Sequence, residues 1–229
     1  MRAAGDKPRG RRHTQPVNHA LHRINAHFVG RLVTTLVLLG ATFIPYWWIN
    51  DHTPPRFDYL TRLDTAIPFL PWTLPIYQSF FVLIIAAAWV CEAPEFLRLL
   101  GAVLLANVIA YVGFLTLTAH YPRPDWHPIE PPWLREAFRS MFSQDAPGNT
   151  FPSLHVAVTT LLTLRLRRRR FDVLWLVWGA LVVLSTLTVK QHFILDVVGG
   201  LALALGLNAW RLRAPPPPAA AAPAHAKTE

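Results

Sequence analysis

Six apolar blocks are the feature of the sequence that most constrains its fold. They cover Leu32–Ile49, Leu74–Cys91, Phe96–Ala119, Phe151–Leu164, Phe171–Val189 and His192–Trp210. A transmembrane helix needs about 20 predominantly apolar residues, and most of the blocks are close to that length. The chain is therefore predicted to be an all-α, polytopic membrane helix bundle with about six transmembrane helices.

The fourth block, Phe151–Leu164, is shorter than the others, with roughly 14 residues where about 20 are expected. We expect its helix either to include Arg165 and Leu166 or to be buried among the other helices. A further short helix is predicted around Pro132–Phe142, inside the loop that precedes this block.

Clusters of basic residues predict the orientation of the bundle. The formal charge is +9, and the clusters adjoin the apolar blocks at the N-terminus, near Arg98, at Arg165–Arg170 and at Arg211 and Arg213. With six spans, all of them fall on one side, which the positive-inside rule identifies as the cytoplasm. Both termini are therefore predicted to be cytoplasmic. The pattern indicates topology, so no nucleic-acid partner is predicted, and the Arg165–Arg170 cluster is expected to bind anionic lipid headgroups.

Composition divides the chain into three parts. Residues 1–29 are polar and basic and are predicted to be largely disordered, and residues 30–213 form the six-helix membrane domain. Residues 214–229 are rich in Pro and Ala and are predicted to be a disordered tail. The basic start and the Pro/Ala tail suggest a bacterium of high genomic GC content, so the inner membrane is the predicted location. The single cysteine, Cys91, excludes an intrachain disulfide.

The chemically distinctive residues fall in three loops, 50–73, 120–155 and 189–196, which the same topology places outside the cytoplasm, facing the periplasm. His155 stands at the predicted opening of one helix, and His192 and Asp196 stand at i and i+4 near the opening of another. This spacing puts both side chains on one helix face. A carboxylate there can hold the tautomer of an imidazole and stabilise its protonated form.

The same loops contain donors that suit a phosphate group. These donors are Arg123, Lys190, Ser153 and the main-chain amides at the start of the Ser153 helix. Two histidines can divide the roles of nucleophile and proton carrier. The residues therefore predict phosphoryl transfer at the membrane surface, with no cofactor and no obligatory metal.

Three short segments resemble the signature motifs of a known family. Arg123-Pro124, Pro152-Ser153-Leu154-His155 and His192-Phe193-Ile194-Leu195-Asp196 are similar, in order and spacing, to those of the type 2 phosphatidic acid phosphatase superfamily. The resemblance covers roughly residues 74–210 and implies a six-helix membrane core. The chain departs from the family pattern at three positions, where a lysine, a glycine and an arginine are replaced by Thr116, Leu154 and Thr186.

Some of these segments look more like one branch of the superfamily. They are Phe151–Ala157, Lys190-Gln191-His192, and Asp64 with the following Ile67–Trp72. The branch contains inositol phosphorylceramide synthase and sphingomyelin synthase. This similarity implies that the substrate is a membrane lipid and that a phospho-headgroup is moved between lipids, as well as or instead of the hydrolysis of phosphate esters.

The resemblance also implies roles for individual residues. His192 would attack phosphorus and form a phosphohistidine, and Asp196 would hold its ring. His155 would protonate the leaving oxygen and later take a proton from the acceptor. Phosphate oxygens would be bound by Arg123, Ser153 and the main-chain amide near Leu154.

Two further charged residues have less specific predictions. Lys190 is expected to supply the positive charge that Thr116 and Thr186 cannot, although an interfacial lysine explains it equally well. Asp64 is expected to be an ordinary loop carboxylate, and a role in binding the headgroup or acceptor is its alternative.

Two other functions stay open from the sequence. The first is a plain phosphatase that acts on phosphatidate, prenyl diphosphate or a similar lipid with water as the acceptor. The second is a six-span channel, transporter or inactive scaffold. A transport pathway would need polar groups along the length of the bundle, whereas here they gather at one end, which favours an enzyme.

Overall fold

The structure, a computed structural model, describes residues 23–144, 147–168 and 171–212, without the side chain of Arg211. Its helices are α1 (Phe28–His52), α2 (Arg62–Ala66), α3 (Leu74–Gln78), α4 (Phe80–Val90), α5 (Ala93–Thr116), α6 (Pro132–Gln144), α7 (Leu154–Leu166), α8 (Asp172–Thr188) and α9 (Ile194–Arg211), with a 3-10 turn at Pro71–Thr73. The predicted all-α class is confirmed. The predicted N-terminal segment up to residue 22 and the Pro/Ala tail lie outside the described residues.

Within the described residues, three helical stretches are long and apolar enough to cross a membrane: Phe28–His52, Pro71–Val90 and Ala93–Thr116. Three shorter apolar helices follow, at Leu154–Leu166, Asp172–Thr188 and Ile194–Trp210. Large apolar side chains are exposed on the outer faces of the bundle, among them Ile44, Trp89 and Trp210. An apolar surface of this extent suits contact with lipid chains.

Helix α7 lies at the centre of the bundle, packed against α4, α5, α8 and α9. Its residues Ala157, Leu161 and Leu166 are fully buried. Both expectations for the short fourth block are confirmed, because the helix continues through Arg165 and Leu166 and is enclosed by its neighbours. The short α6 is likewise present, at Pro132–Gln144.

The direction of the helices defines two ends of the bundle. Helices α7 and α9 begin at one end, where α5 and α8 finish, and we call it the site end. Helices α7 and α9 finish at the opposite end, where α5 begins. This alternation brings the predicted motif residues of all three loops to the site end.

Arg165 corrects one sequence-based interpretation. At the opposite end its Nη1 forms an ion pair with Glu95 at 3.0 Å, and its Nη2 donates to the carbonyl of Leu212 at 3.2 Å. The side chain is buried, so Arg165 joins three helix ends instead of facing lipid headgroups. Arg167 and Arg168 are exposed, and for them headgroup binding stays a prediction.

Candidate active site

His192 and Asp196 form a hydrogen-bonded pair at the N-terminus of α9. Nδ1 of His192 lies 3.3 Å from Oδ2 of Asp196, and that oxygen also accepts the amide of Phe193 at 2.9 Å. The Asp196 side chain is fully buried and His192 is nearly so. A carboxylate can only accept, so Nδ1 carries a proton and the lone pair is on Nε2. The predicted i, i+4 pair is therefore confirmed as a contact.

His155 stands in the first turn of α7 between two aromatic rings. Its imidazole stacks on Tyr77 at 4.0 Å between ring centroids and lies 4.3 Å from the ring of Phe80. Nε2 lies 3.1 Å from the carbonyl oxygen of Tyr77, which can only accept, so the neutral ring is protonated on Nε2. Nδ1 is then the basic nitrogen. The amide of Ser153, two residues before His155, bonds to the carbonyl of Asp196, so His155 lies at the same end of the bundle as His192.

Ser153 connects the second and third motifs. Its side-chain oxygen caps α7 by accepting the amide of Val156 at 3.2 Å, and its own amide donates to the carbonyl of Asp196 at 3.1 Å. Leu154 is the first residue of α7, so its amide belongs to the helix N-terminus, which favours anions. The opening of α7 is thereby fixed to the opening of α9.

Arg123 lies on the loop between α5 and α6, at the site end. Its guanidinium sits 4.5 Å above the ring of Phe142, which belongs to α6. A cation over an aromatic face is stabilised by the ring quadrupole, and the stacking restricts where the planar group can point. The loop from the first motif is thus held by the amphipathic helix α6.

Lys190 and Asp64 contact one another at the same end. Nζ of Lys190 donates to the carbonyls of Asp64 and Ile67 at 2.8 and 2.5 Å. Burial lowers the pKa of Lys190, and the nearby charge of Asp64 partly opposes that shift. The Asp64 side chain is 2% exposed and accepts the amide of Ile194 at 2.7 Å. The expectation that Asp64 is an ordinary loop carboxylate is therefore wrong, because it is a buried hydrogen-bonded group.

Residues 95–217 match the family model of the PAP2 superfamily, which is more than half of the chain. The chain belongs to the PAP2 superfamily. Members of this superfamily are phosphatases and phosphotransferases that act on lipid-like phosphates. Together with its apolar helices, this membership identifies an integral membrane protein. Neither the curated proteins nor the solved structures provide a match.

Tyr121 is a buried residue beside the candidate site that the sequence motifs did not reveal. It is 3% exposed, and its ring lies 4.6 Å from that of Phe193. Burial, Asp64 and Asp196 raise the pKa of Tyr121 to about 12, and Arg123 opposes the shift. The phenol therefore lies within the electrostatic reach of groups from three segments. The only sequence signal was its position two residues before Arg123.

Two glycines allow neighbouring helices to approach the backbone of residues 151–153 closely. The sequence motifs did not reveal them. A Cβ on Gly200 would lie 2.6 Å from the carbonyl oxygen of Ser153, and one on Gly113 would lie 2.6 Å from that of Phe151. Neither distance is compatible with a side chain. The second motif therefore sits between α5 and α9 at backbone distance.

Two of the departures from the family pattern have simple structural accounts. The hydroxyl of Thr116 donates to the carbonyl of Val112, and that of Thr186 donates to the carbonyl of Val183. Both side chains bond within their own helices. Within residues 23–144, 147–168 and 171–212, no cluster of three His, Cys, Asp or Glu side chains is placed to hold a metal ion.

Proposed function

We propose that this PAP2 protein is a lipid phosphotransferase or phosphatase that works through a phosphohistidine intermediate. The observation that carries the proposal is the His192–Asp196 hydrogen bond at the same end of the bundle as His155. The substrate is a membrane lipid with a phosphate ester, and no cofactor is used.

In the first step, Nε2 of His192 attacks phosphorus and the bond to the leaving oxygen breaks. Asp196 holds the ring through Nδ1 and stabilises the positive charge that develops on it. Nδ1 of His155 must first bind a second proton, because the neutral ring carries its proton on Nε2. It then gives that proton to the leaving oxygen, so the product leaves as an alcohol. The phosphoryl or phospho-headgroup is then bound to His192.

In the second step, the hydroxyl of the acceptor attacks the same phosphorus. Neutral His155 takes the acceptor proton on Nδ1, while Nε2 stays bonded to the Tyr77 carbonyl. The bond to His192 breaks and the enzyme returns to its starting state. A lipid alcohol as acceptor gives headgroup transfer, and water gives hydrolysis.

The phosphate oxygens are bound in this proposal by Arg123, Ser153 and the amide of Leu154. Arg123 offers the planar donors that match phosphate geometry. The N-terminus of α7 adds the positive end of the helix dipole. Lys190 lies at the same end, where its ammonium donates to the carbonyls of Asp64 and Ile67.

We assign the protein to the branch that contains inositol phosphorylceramide synthase and sphingomyelin synthase, on the motif similarities described above. The orientation we propose has the site facing the periplasm, because exposed Arg167 and Arg168 lie at the opposite end and basic residues favour the cytoplasm. The membrane is the bacterial inner membrane. Anionic headgroups are expected at the exposed arginines.

The decisive experiment incubates purified protein with labelled phospholipids, with and without an alcohol acceptor, and separates the products. A new phospholipid supports transfer, whereas inorganic phosphate alone supports the alternative of a phosphatidate or prenyl diphosphate phosphatase. His192→Ala should abolish both products while the protein remains folded and extractable. Full activity in this variant would remove the mechanism.

The non-enzyme alternative, a six-span transporter or an inactive scaffold, predicts no product with any lipid. It also predicts that His192→Ala leaves transport or binding of a solute unchanged. Activity that persists in the presence of a chelator supports the metal-free scheme, and a strict need for a divalent ion contradicts it.

A further inference from the structure

The carboxylate of Asp64 joins two segments that lie 130 positions apart in the sequence. Its Oδ1 accepts the amide of Ile194 at 2.7 Å. Its Oδ2 accepts the amide and the hydroxyl of Thr61 at 2.8 and 2.5 Å. A buried carboxylate that receives three hydrogen bonds is held firmly in place, because each bond to a charged acceptor is stronger than a neutral one.

This contact bears directly on the nucleophile. Ile194 is the first residue of α9 and follows His192 by two positions. Amides at a helix N-terminus have no partner within their own helix, and here two carboxylates share them. Asp196, from α9 itself, takes the amide of Phe193, and Asp64, from α2, takes that of Ile194. The placement of His192 therefore depends on a segment outside the three motifs.

Lys190, on the turn that also carries His192, bonds to the same segment as Asp64. Its backbone adopts a left-handed conformation with φ of 59°, which non-glycine residues adopt uncommonly. Its ammonium donates to the carbonyls of Asp64 and Ile67. An ammonium has three N–H donors, so two of the three are engaged by main-chain carbonyls.

Two further bonds extend the contact along the chain. The amide of Leu70 donates to the carbonyl of Thr188 at 2.9 Å, and the hydroxyls of Thr73 and Thr188 lie 2.8 Å apart. Residues 64–73, which we call the clasp, therefore run beside residues 188–194. The turn that carries His192 is tied to the clasp both before and after the histidine.

We propose that Asp64 and Lys190 are positioning residues that hold His192 in place through the clasp. This inference rests on the proposed function, in which His192 is the nucleophile. Asp64 acts through the amide of Ile194, and Lys190 acts through the carbonyls of the clasp. Displacing a reacting atom by about 1 Å can lower a rate about 100-fold, so such support is kinetically important. In this proposal, Lys190 makes no direct contact with the phosphate, and Asp64 does not bind the acceptor.

The first test compares Asp64→Asn with Asp58→Asn. Asp58 is an exposed carboxylate in the same loop that accepts a local amide, from Leu60 at 2.8 Å, which makes it the matched control. Turnover is measured with phosphatidate in detergent micelles, and hydrogen exchange is measured at the amide of Ile194. For Asp64→Asn we expect kcat to fall about 10- to 100-fold with KM changed less than about twofold, and Ile194 to exchange faster. Asp58→Asn should change none of these.

Two results would overturn the assignment of Asp64. One is a raised KM with kcat retained, which would put the carboxylate on the substrate. The other is wild-type kcat together with wild-type exchange at Ile194. If Asp64→Asn cannot be recovered folded, Thr61→Val is used instead, because it removes the hydroxyl that donates to the same carboxylate. A loss in kcat of about threefold at constant KM then supports the proposal, and an unchanged kcat contradicts it.

The second test compares Lys190→Met with Lys190→Arg, using inhibition by orthovanadate as a probe of the phosphate site. A positioning role predicts that Lys190→Met lowers kcat at least about tenfold, leaves vanadate affinity unchanged and is partly rescued in Lys190→Arg. Vanadate binding weakened in Lys190→Met would instead assign the ammonium to the phosphate.

His192→Ala distinguishes a failure of the phosphohistidine mechanism from a failure of the clasp proposal. If that variant stays active, the phosphohistidine mechanism fails and the clasp has no catalytic meaning. If it is inactive while the clasp variants keep normal kinetics and normal exchange at Ile194, only the clasp proposal fails. The exchange measurement needs no substrate, so it decides the structural part in either case.

Discussion

The two ends of the bundle treat buried charge in different ways. At the opposite end, Arg165 meets the carboxylate of Glu95 directly, and it also reaches the carbonyl of Leu212. At the site end, the carboxylates of Asp64 and Asp196 accept main-chain amides, and the ammonium of Lys190 donates to main-chain carbonyls.

The difference teaches what each arrangement is for. A cation paired with a carboxylate is neutralised, so the pair serves only to join helix ends. At the site end, the carboxylate of Asp196 accepts the amide of Phe193 and also contacts the imidazole of His192. In the described part of the chain, Oδ1 of Asp196 is buried with no hydrogen-bond partner, which leaves that carboxylate able to accept another donor.

The strongest test of this contrast replaces a carboxylate by its amide at the site end. Asp196→Asn keeps the shape and the bond from the Phe193 amide but no longer stabilises a protonated imidazole. It also allows His192 to carry its proton on Nε2, which removes the nucleophile of the proposed mechanism. We expect kcat to fall about 10³- to 10⁴-fold with little change in the unfolding temperature. Activity within tenfold of wild type would contradict the site assignment.

The same chemical change at the opposite end should have the reverse effect. Glu95→Gln leaves the buried guanidinium of Arg165 without a counter-charge, so we expect the free energy of unfolding to fall by about 2 to 3 kcal/mol. Activity per folded molecule should stay near wild type. Denaturation in detergent, followed alongside turnover, measures both. A loss of kcat at unchanged stability would erase the contrast between the ends.

Packing at the second motif predicts an intermediate effect. Gly200→Ala forces a methyl group against the carbonyl of Ser153, so we expect about 2 kcal/mol of destabilisation and reduced activity. Gly206→Ala, in the same helix, meets nothing within 4 Å and is the control. Thermal unfolding of the two variants measures the difference in their melting temperatures. Equal melting temperatures would show that Gly200 does not lie close to the carbonyl of Ser153.

The smallest expected effect concerns the hydroxyl of Tyr121. Tyr121→Phe removes a donor beside Asp64, Asp196 and Arg123, and we expect kcat/KM to fall about fivefold, the equivalent of one hydrogen bond of about 1 kcal/mol. Because the pKa of Tyr121 is raised to about 12, the phenol stays protonated. The fivefold difference in kcat/KM between the variant and the wild type should therefore be constant from about pH 6 to 10.

Tyr111→Phe provides the matched control for that variant. Tyr111 donates its hydroxyl to the carbonyl of Thr42 within the bundle, at 2.6 Å. Its loss should lower stability by about 1 kcal/mol and leave kcat/KM unchanged. If both tyrosine variants alter activity equally, the position of Tyr121 at the site has no special importance.

Local patterns in the sequence were sufficient to predict the apolar helices and the contact between His192 and Asp196. Apolar blocks predicted each membrane-length or shorter apolar helix, because burial in lipid or protein requires such runs. The i, i+4 spacing predicted the contact between His192 and Asp196. The alternation of helix direction predicted that Ser153, Arg123 and Lys190 would share one end.

Contacts between distant segments could not be read in the same way. The bond from Ile194 to Asp64 and the ion pair of Arg165 with Glu95 join residues 130 and 70 positions apart. A run of arginines looks like an exposed cluster from its composition, although its first member lies on the buried face of α7. Only packing distinguishes Arg165 from Arg167.

The shortness of α7 has a consequence for its position in the membrane. Its 13 residues span only about 20 Å, whereas the hydrocarbon layer of a bilayer is about 30 Å thick. A core helix of this length cannot extend from one boundary of the layer to the other. At least one of its two ends, which carry His155 and Arg165, therefore lies below the boundary of the hydrocarbon layer.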